Sequence, residues 1–178
     1  MTDHKTYDAK TLAYLKEFDK LLKKGVGLVA FHYTTWVDNE TARRYWAEWL
    51  GGYYVSGTSK YLQSTWRMSL TNGSHPVLRG ISPWTYDEEV YAYEKLPENP
   101  RRTELIVGTP QKGESTVASW ALDRKGGGRS FVMTGVDWHK NLSLDNYRRL
   151  LLNGIVWAAR VEVPAGGVQS SVSEEIMK

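Results

Sequence analysis

His32 directly follows Gly27-Leu28-Val29-Ala30-Phe31, a short apolar run bounded by glycine, so it closes a strand where the chain turns toward a helix. In open α/β sheets ligands gather at the carboxyl ends of strands, which gives this imidazole a privileged position. Glu88, Glu89, Asp137 and His139 lie far away in sequence, but turns at strand ends can bring such groups together. Imidazole and carboxylate together can do two jobs. They can move protons near neutral pH, with histidine as base and glutamate as acid, or they can hold a divalent metal ion with positions left open for oxygen ligands. The plainer alternative is that His32 is a hydrogen-bonded turn residue and that the acidic pair faces solvent.

Large aromatics are abundant, with eight Trp and eleven Tyr, and abundance alone does not separate core from ligand site. Trp46, Trp49 and Trp157 follow helical stripes and read as core. Tyr33, Trp36, Tyr91 and Trp120 have no such stripe and could form an aromatic wall against which a flat apolar ligand face would stack. His75-Pro76 reads as a turn former. Arg129 follows three glycines, but no Lys-Ser or Lys-Thr comes after it, so a hairpin explains the segment better than a phosphate cradle.

The elements that must position these groups are legible in outline. Leu12, Leu15, Phe18 and Leu22 recur at helical spacing, with Asp8 able to cap the start and Gly25 to stop the end. Asp38-Asn39 opens a second helix whose inward face is Ala42, Tyr45, Trp46, Trp49 and Leu50, closed by Gly51-Gly52. Short strands are expected near 66–70, 86–93, 104–107, 117–122 and 129–134, separated by segments containing Pro or Gly. Ser143 is expected to cap a last helix with Tyr147, Leu150, Leu151, Ile155 and Ala158 inward. Helix, buried strand and helix in succession imply α/β layering.

A chain of 178 residues with 41% hydrophobic content can bury one core, and residues 1–163 read as one α/β domain followed by a flexible tail over 164–178. A net charge of +3 is spread without a basic stripe, so nucleic acid is not an expected partner. Cysteine is absent, which removes disulfides, thiolate metal sites and a cysteine nucleophile. The start, Met1 to Lys10, is polar with no apolar core behind a basic head, and no run reaches a membrane span. The chain as it stands is therefore expected in the cytoplasm, away from membranes.

Several segments jointly resemble ThuA-like (trehalose-utilisation) domains, which are related to class I glutamine amidotransferases. They are Gly25 to Tyr33, Gly51-Gly52-Tyr53, His75-Pro76-Val77 with Gly80, Glu88-Glu89-Val90-Tyr91, Ala118-Ser119-Trp120, Gly128 to Phe131, Thr134-Gly135, His139-Lys140-Asn141, and Leu152 to Ala159. Their order and spacing match from about Tyr7 to Val168. The resemblance implies a flavodoxin-like fold, a three-layer sandwich around a mainly parallel sheet. It also implies a carbohydrate ligand, a disaccharide or an oxidised keto sugar. In amidotransferase relatives the elbow after the first strand carries a cysteine; here it carries His32, so glutamine hydrolysis through a thioester is excluded.

Two departures follow from the resemblance. Members of this subtype carry two histidines separated by one residue in the late loop, and the first of these is Asp137 here. The family domain also begins with a strand, a helix and further strands ahead of the first helix seen in this chain. The chain would then be a piece of a longer domain, or a second copy would supply the missing edge in a homo-oligomer. Within this reading His32 and Glu89 form a proton-transfer pair of a sugar hydrolase or isomerase. His139 orients substrate or shares a divalent metal, and Tyr33, Trp36, Glu88, Tyr91, Trp120 and Asp137 line the substrate. A non-catalytic sugar-binding or interaction module of a larger assembly, or a degenerate fragment, are the alternatives.

Overall fold

The computed structural model describes residues 8–71 and 73–173. Helix α1 spans Ala9–Lys23, and Asp8 caps it by accepting the Thr11 amide at 2.7 Å. Its stripe is shallower than the spacing predicts. Leu22 is buried, whereas Phe18 lies edge-on against Trp49 and stays 39% exposed. Strand β1, Leu28–Phe31, leads into a 3-10 turn over His32–Thr35. Helix α2, Glu40–Trp49, is capped by Asn39, which accepts the Ala42 amide at 2.9 Å. Asp38 instead binds the amide and hydroxyl of Ser56.

Strands β2 (Lys60–Leu70), β3 (Trp84–Ala92), β4 (Arg102–Pro110), β5 (Thr116–Asp123) and β6 (Arg129–Met133) complete one six-stranded sheet in the order β1-β6-β5-β4-β2-β3. The expected mainly parallel sheet is not what forms: β1 and β6 pair parallel, and the four other pairings are antiparallel. For β4–β5 and β5–β6 the reason is connection length. Five residues (111–115) join β4 to β5 and five (124–128) join β5 to β6, whereas a parallel crossover takes about a dozen or more. The sheet is thus mixed, and it also curls. The Tyr91 amide on β3 donates to the Thr134 carbonyl just beyond β6 at 3.1 Å, although β3 and β6 are not neighbours in the sheet.

Helix α3 spans Asp145–Ala158. Ser143 does not cap it, because Ser143 Oγ donates to the Lys140 carbonyl within a 3-10 turn over His139–Ser143. Tyr147, Leu150 and Leu151 face inward as expected, but Ile155 is 43% exposed. Helices lie against both sheet faces. Leu22, Tyr45, Trp49 and Leu50 from the α1–α2 side meet Ala30, Trp120 and Val132. The α3 side carries the larger core, in which Tyr147, Leu150 and Trp157 pack with Phe131, Met133, Trp66 and Val90. Alternation of Val132 with Phe131 and Met133 between these cores is the period-two signature of a strand covered on both faces.

Val163, at the end of the expected domain, and residues 164–170, at the start of the expected tail, run back along α3. Val163 is buried, the Val168 amide donates to Asn153 Oδ1 at 2.8 Å, and Arg148 holds both the hydroxyl and the carbonyl of Ser170. No described helix is long and apolar enough to cross a membrane.

Candidate functional site

His32 ends β1 with φ +44°, a left-handed backbone conformation that costs a non-glycine residue about 1–3 kcal/mol. Local side chains hold it there. Thr34 Oγ1 donates to the Phe31 carbonyl at 2.8 Å, and Thr35 Oγ1 lies 2.9 Å from the His32 carbonyl. The ring, 8% exposed, lies 4.1 Å from the ring of Tyr91, centroid to centroid.

The Thr134 carbonyl sets the orientation of that ring. His32 Nδ1 is 3.0 Å from it, and a carbonyl can only accept, so Nδ1 carries the proton of the neutral ring and Nε2 presents its lone pair. The same carbonyl takes the Tyr91 amide, so one oxygen ties the β1 elbow to β3. Nε2 then faces two carboxylates, Glu89 Oε1 at 3.5 Å and Asp137 Oδ1 at 3.6 Å. One ligand-competent atom from each of these three side chains lies within 4.8 Å of the others, and this is the one such group of His, Asp or Glu among the described residues. Gln63 Nε2 on the neighbouring strand donates to Glu89 Oε2 at 2.9 Å, holding the carboxylate with its other oxygen toward His32.

Glu88 and Glu89 point to opposite faces of β3, as adjacent strand residues must. Glu88 has no exposed surface. Its carboxylate accepts the amides of Glu89 and Trp138 and the side-chain amide of Asn141, all between 2.9 and 3.0 Å. Burial raises its pKa while these hydrogen bonds pull the other way. Glu88 therefore anchors the late loop, and the loop in turn delivers Asp137 to Glu89 on the other face.

The aromatic residues divide the same way. Tyr91, Trp36 and Tyr54 stack in one group, with centroids 6.0 Å apart for Trp36–Tyr91 and 4.7 Å for both Trp36–Tyr54 and Tyr54–Tyr91. Tyr33, 43% exposed, leans on Trp36 at 5.7 Å, and the exposed Tyr61 lies 6.5 Å from Tyr91. Burial first, and then the charge of Glu89, push the Tyr91 phenol above its usual range, so it stays a neutral hydroxyl. Trp120 is not in this wall: it has no exposed surface and donates Nε1 to the Leu50 carbonyl at 2.6 Å in the α1–α2 core.

His139 opens the 3-10 turn after the late loop and is exposed, outside the three-residue cluster. In a fully extended loop residues 137 and 139 would share a face, but the turn beginning at His139 breaks that repeat. The carboxylate thus occupies the place beside His32. Gln63 and Tyr54 carry no motif; strand register with Glu89 and the bridge between Trp36 and Tyr54 place them. His75 accepts the Val77 amide, as a turn former does. A separate cavity of about 620 Å³ lies between α1, α2 and the β5–β6 hairpin, lined by Lys23, Trp49, Arg101 and Arg124.

A family model described as ThuA, trehalose utilisation, matches residues 3–158. No curated protein matches the chain. Among solved structures, a ThuA-like protein from Bacteroides uniformis superposes with a TM-score of 0.63 at 17% identity, over 94% of this chain and 78% of that one. At that identity the likeness speaks for the fold, while the family match spans most of the chain and the segments that build the His32 cluster. The chain belongs to the trehalose-utilisation (ThuA) family.

Proposed function

We propose that this domain processes a carbohydrate, a disaccharide or an oxidised keto sugar, as a hydrolase or isomerase whose reactive centre is His32, Glu89 and Asp137. The observation that carries this reading is the convergence of an oriented imidazole lone pair and two carboxylates beside an aromatic group formed by Tyr91, Trp36, Tyr33 and Tyr61. Aromatic faces suit the C–H faces of sugar rings, and polar groups at their edge suit hydroxyls and a carbonyl. The family relation supplies the substrate class. Asp137, in the place where the resemblance leads one to expect a histidine, adds a carboxylate to the cluster rather than leaving a gap, which favours a working site over a degenerate one.

The test is His32→Ala in the full chain against a panel of disaccharides and their keto derivatives, following both binding and turnover. Loss of turnover by roughly a hundredfold or more, with the fold preserved by circular dichroism, is the expected result for a group acting at the reacting atoms. Unchanged binding and turnover would remove the proposal.

A further inference from the structure

We propose that His32 Nε2, Glu89 Oε1 and Asp137 Oδ1 form an open three-ligand site for a divalent first-row transition ion such as Zn²⁺ or Mn²⁺. This deepens the reading above, that the cluster engages a sugar's oxygens, by supplying the ion that would meet them.

Three observations point there. First, with Nδ1 committed to the Thr134 carbonyl, the lone pair of Nε2 looks at two oxygens that are themselves electron-rich. Such an arrangement is favoured by something positive between its members, a proton on Nε2 or a cation. Second, the spacing suits an ion better than a proton. A charge-assisted N–H···O hydrogen bond closes to about 2.7–2.9 Å, whereas Nε2 stands 3.5 and 3.6 Å from the carboxylates. Ligand bonds of about 2.0–2.2 Å around a tetrahedral ion put neighbouring donor atoms roughly 3.3–3.6 Å apart, which is close to what is seen. Third, the supports a metal site needs are already built. A ligating imidazole usually donates its other N–H to a carbonyl or carboxylate, and ligating carboxylates are themselves hydrogen-bonded. Here Thr134 takes Nδ1–H and Gln63 holds Glu89 Oε2.

The ligand set also sets the class of ion. One imidazole with two carboxylates suits Zn²⁺ or Mn²⁺ over Ca²⁺, which takes six to eight oxygens. Three protein ligands leave positions open, and Asp137, with 42% of its side chain exposed, puts the opening on the solvent side.

The experiment is calorimetric titration of the untagged full chain with Zn²⁺, Mn²⁺, Mg²⁺ and Ca²⁺, without sugar. The proposal expects one Zn²⁺ or Mn²⁺ per chain. Affinity should fall roughly tenfold or more in Asp137→Asn, and more steeply in His32→Ala. His139→Ala, outside the cluster, should bind as the wild type does. Because Asp137 is exposed on a loop, Asp137→Asn carries the test even if the His32 variant fails to fold. The proposal is overturned by the absence of one-to-one binding, by binding indifferent to Asp137→Asn, by dependence on His139 instead, or by Ca²⁺ binding more tightly than Zn²⁺. A parallel sugar titration in chelator separates the two readings: sugar binding without any ion site leaves the carbohydrate function standing, and an ion site that takes no sugar leaves the ion site standing alone.

Discussion

Glu94, two residues beyond β3, yields a pH-dependent stability that can be worked from the structure. Its carboxyl is buried, and Oε1 lies 2.6 Å from Thr35 Oγ1, which is itself 2.9 Å from the His32 carbonyl. A hydroxyl has one proton, and a carbonyl and a carboxylate both only accept, so both contacts are satisfied when Glu94 is protonated and donates to Thr35. Oε2 has no hydrogen-bond partner among the described residues, so ionisation would leave a bare buried charge. Accordingly burial pushes the Glu94 carboxyl from 4.5 up to about 8, against a smaller downward pull from Thr35. Between these two values the folded chain holds a proton that the unfolded chain has released. Stability must therefore fall as pH rises, by about 1.4 kcal/mol per pH unit for this one group. From pH 5.5 to 7.5 the loss is about 2–3 kcal/mol. Glu94→Gln cannot ionise, and its amide can still donate to Thr35. Urea unfolding of both proteins at pH 5.5, 6.5 and 7.5 reads the difference, because every other group titrates alike in the two. The variant should gain on the wild type by about 2–3 kcal/mol across this range, roughly 1 M in urea midpoint at unchanged slope. A gap that stays constant with pH, or a wild type that gains on the variant, would refute the reasoning.

Two further substitutions test the packing that holds the site. Trp120→Ala removes a fully buried ring and the donor to the Leu50 carbonyl, and should cost about 3–5 kcal/mol in denaturant unfolding, with Trp120→Phe costing less but still leaving that carbonyl unpaired. Gly154→Ala places a Cβ 2.1 Å from the Phe131 ring, where α3 meets β6; overpacking of about 1–3 kcal/mol should outweigh the helix-propensity gain of about 1 kcal/mol, so calorimetry should show a lower Tm.

Much of the candidate site was legible because its first member is local. A glycine-bounded apolar run ending in His32 needs no tertiary knowledge to place, nor does Asn39 as a cap or Tyr91 two residues beyond Glu89 on one strand face. Strand direction was legible in principle: the Lys125 to Gly128 segment reads as a hairpin, and a hairpin cannot join parallel neighbours. The apolar run at β1 suggested a parallel sheet and is correct for β1 with β6, but the five-residue connections on either side of β5 rule out extending it to β4–β5 and β5–β6. Trp120 could not be sorted from Trp36 by type or spacing. Their fates differ because Trp120 lies on a central strand between two covered faces, whereas Trp36 follows a turn at the sheet's end.

By itself, the sequence determined what periodicity and local chemistry control: three amphipathic helices, a set of short strands, an imidazole at a strand end, and membership of a family through segments in fixed order. Tertiary structure alone decided which distant groups meet that imidazole. The curl that brings β3 to Thr134 orients the His32 ring, Glu88 pulls in the late loop, and a 3-10 turn sends His139 outward while Asp137 is brought to the site. Each of these steps is a hydrogen bond between residues about 40 or more positions apart or a change in local backbone repeat, and neither is encoded in the spacing of the residues concerned.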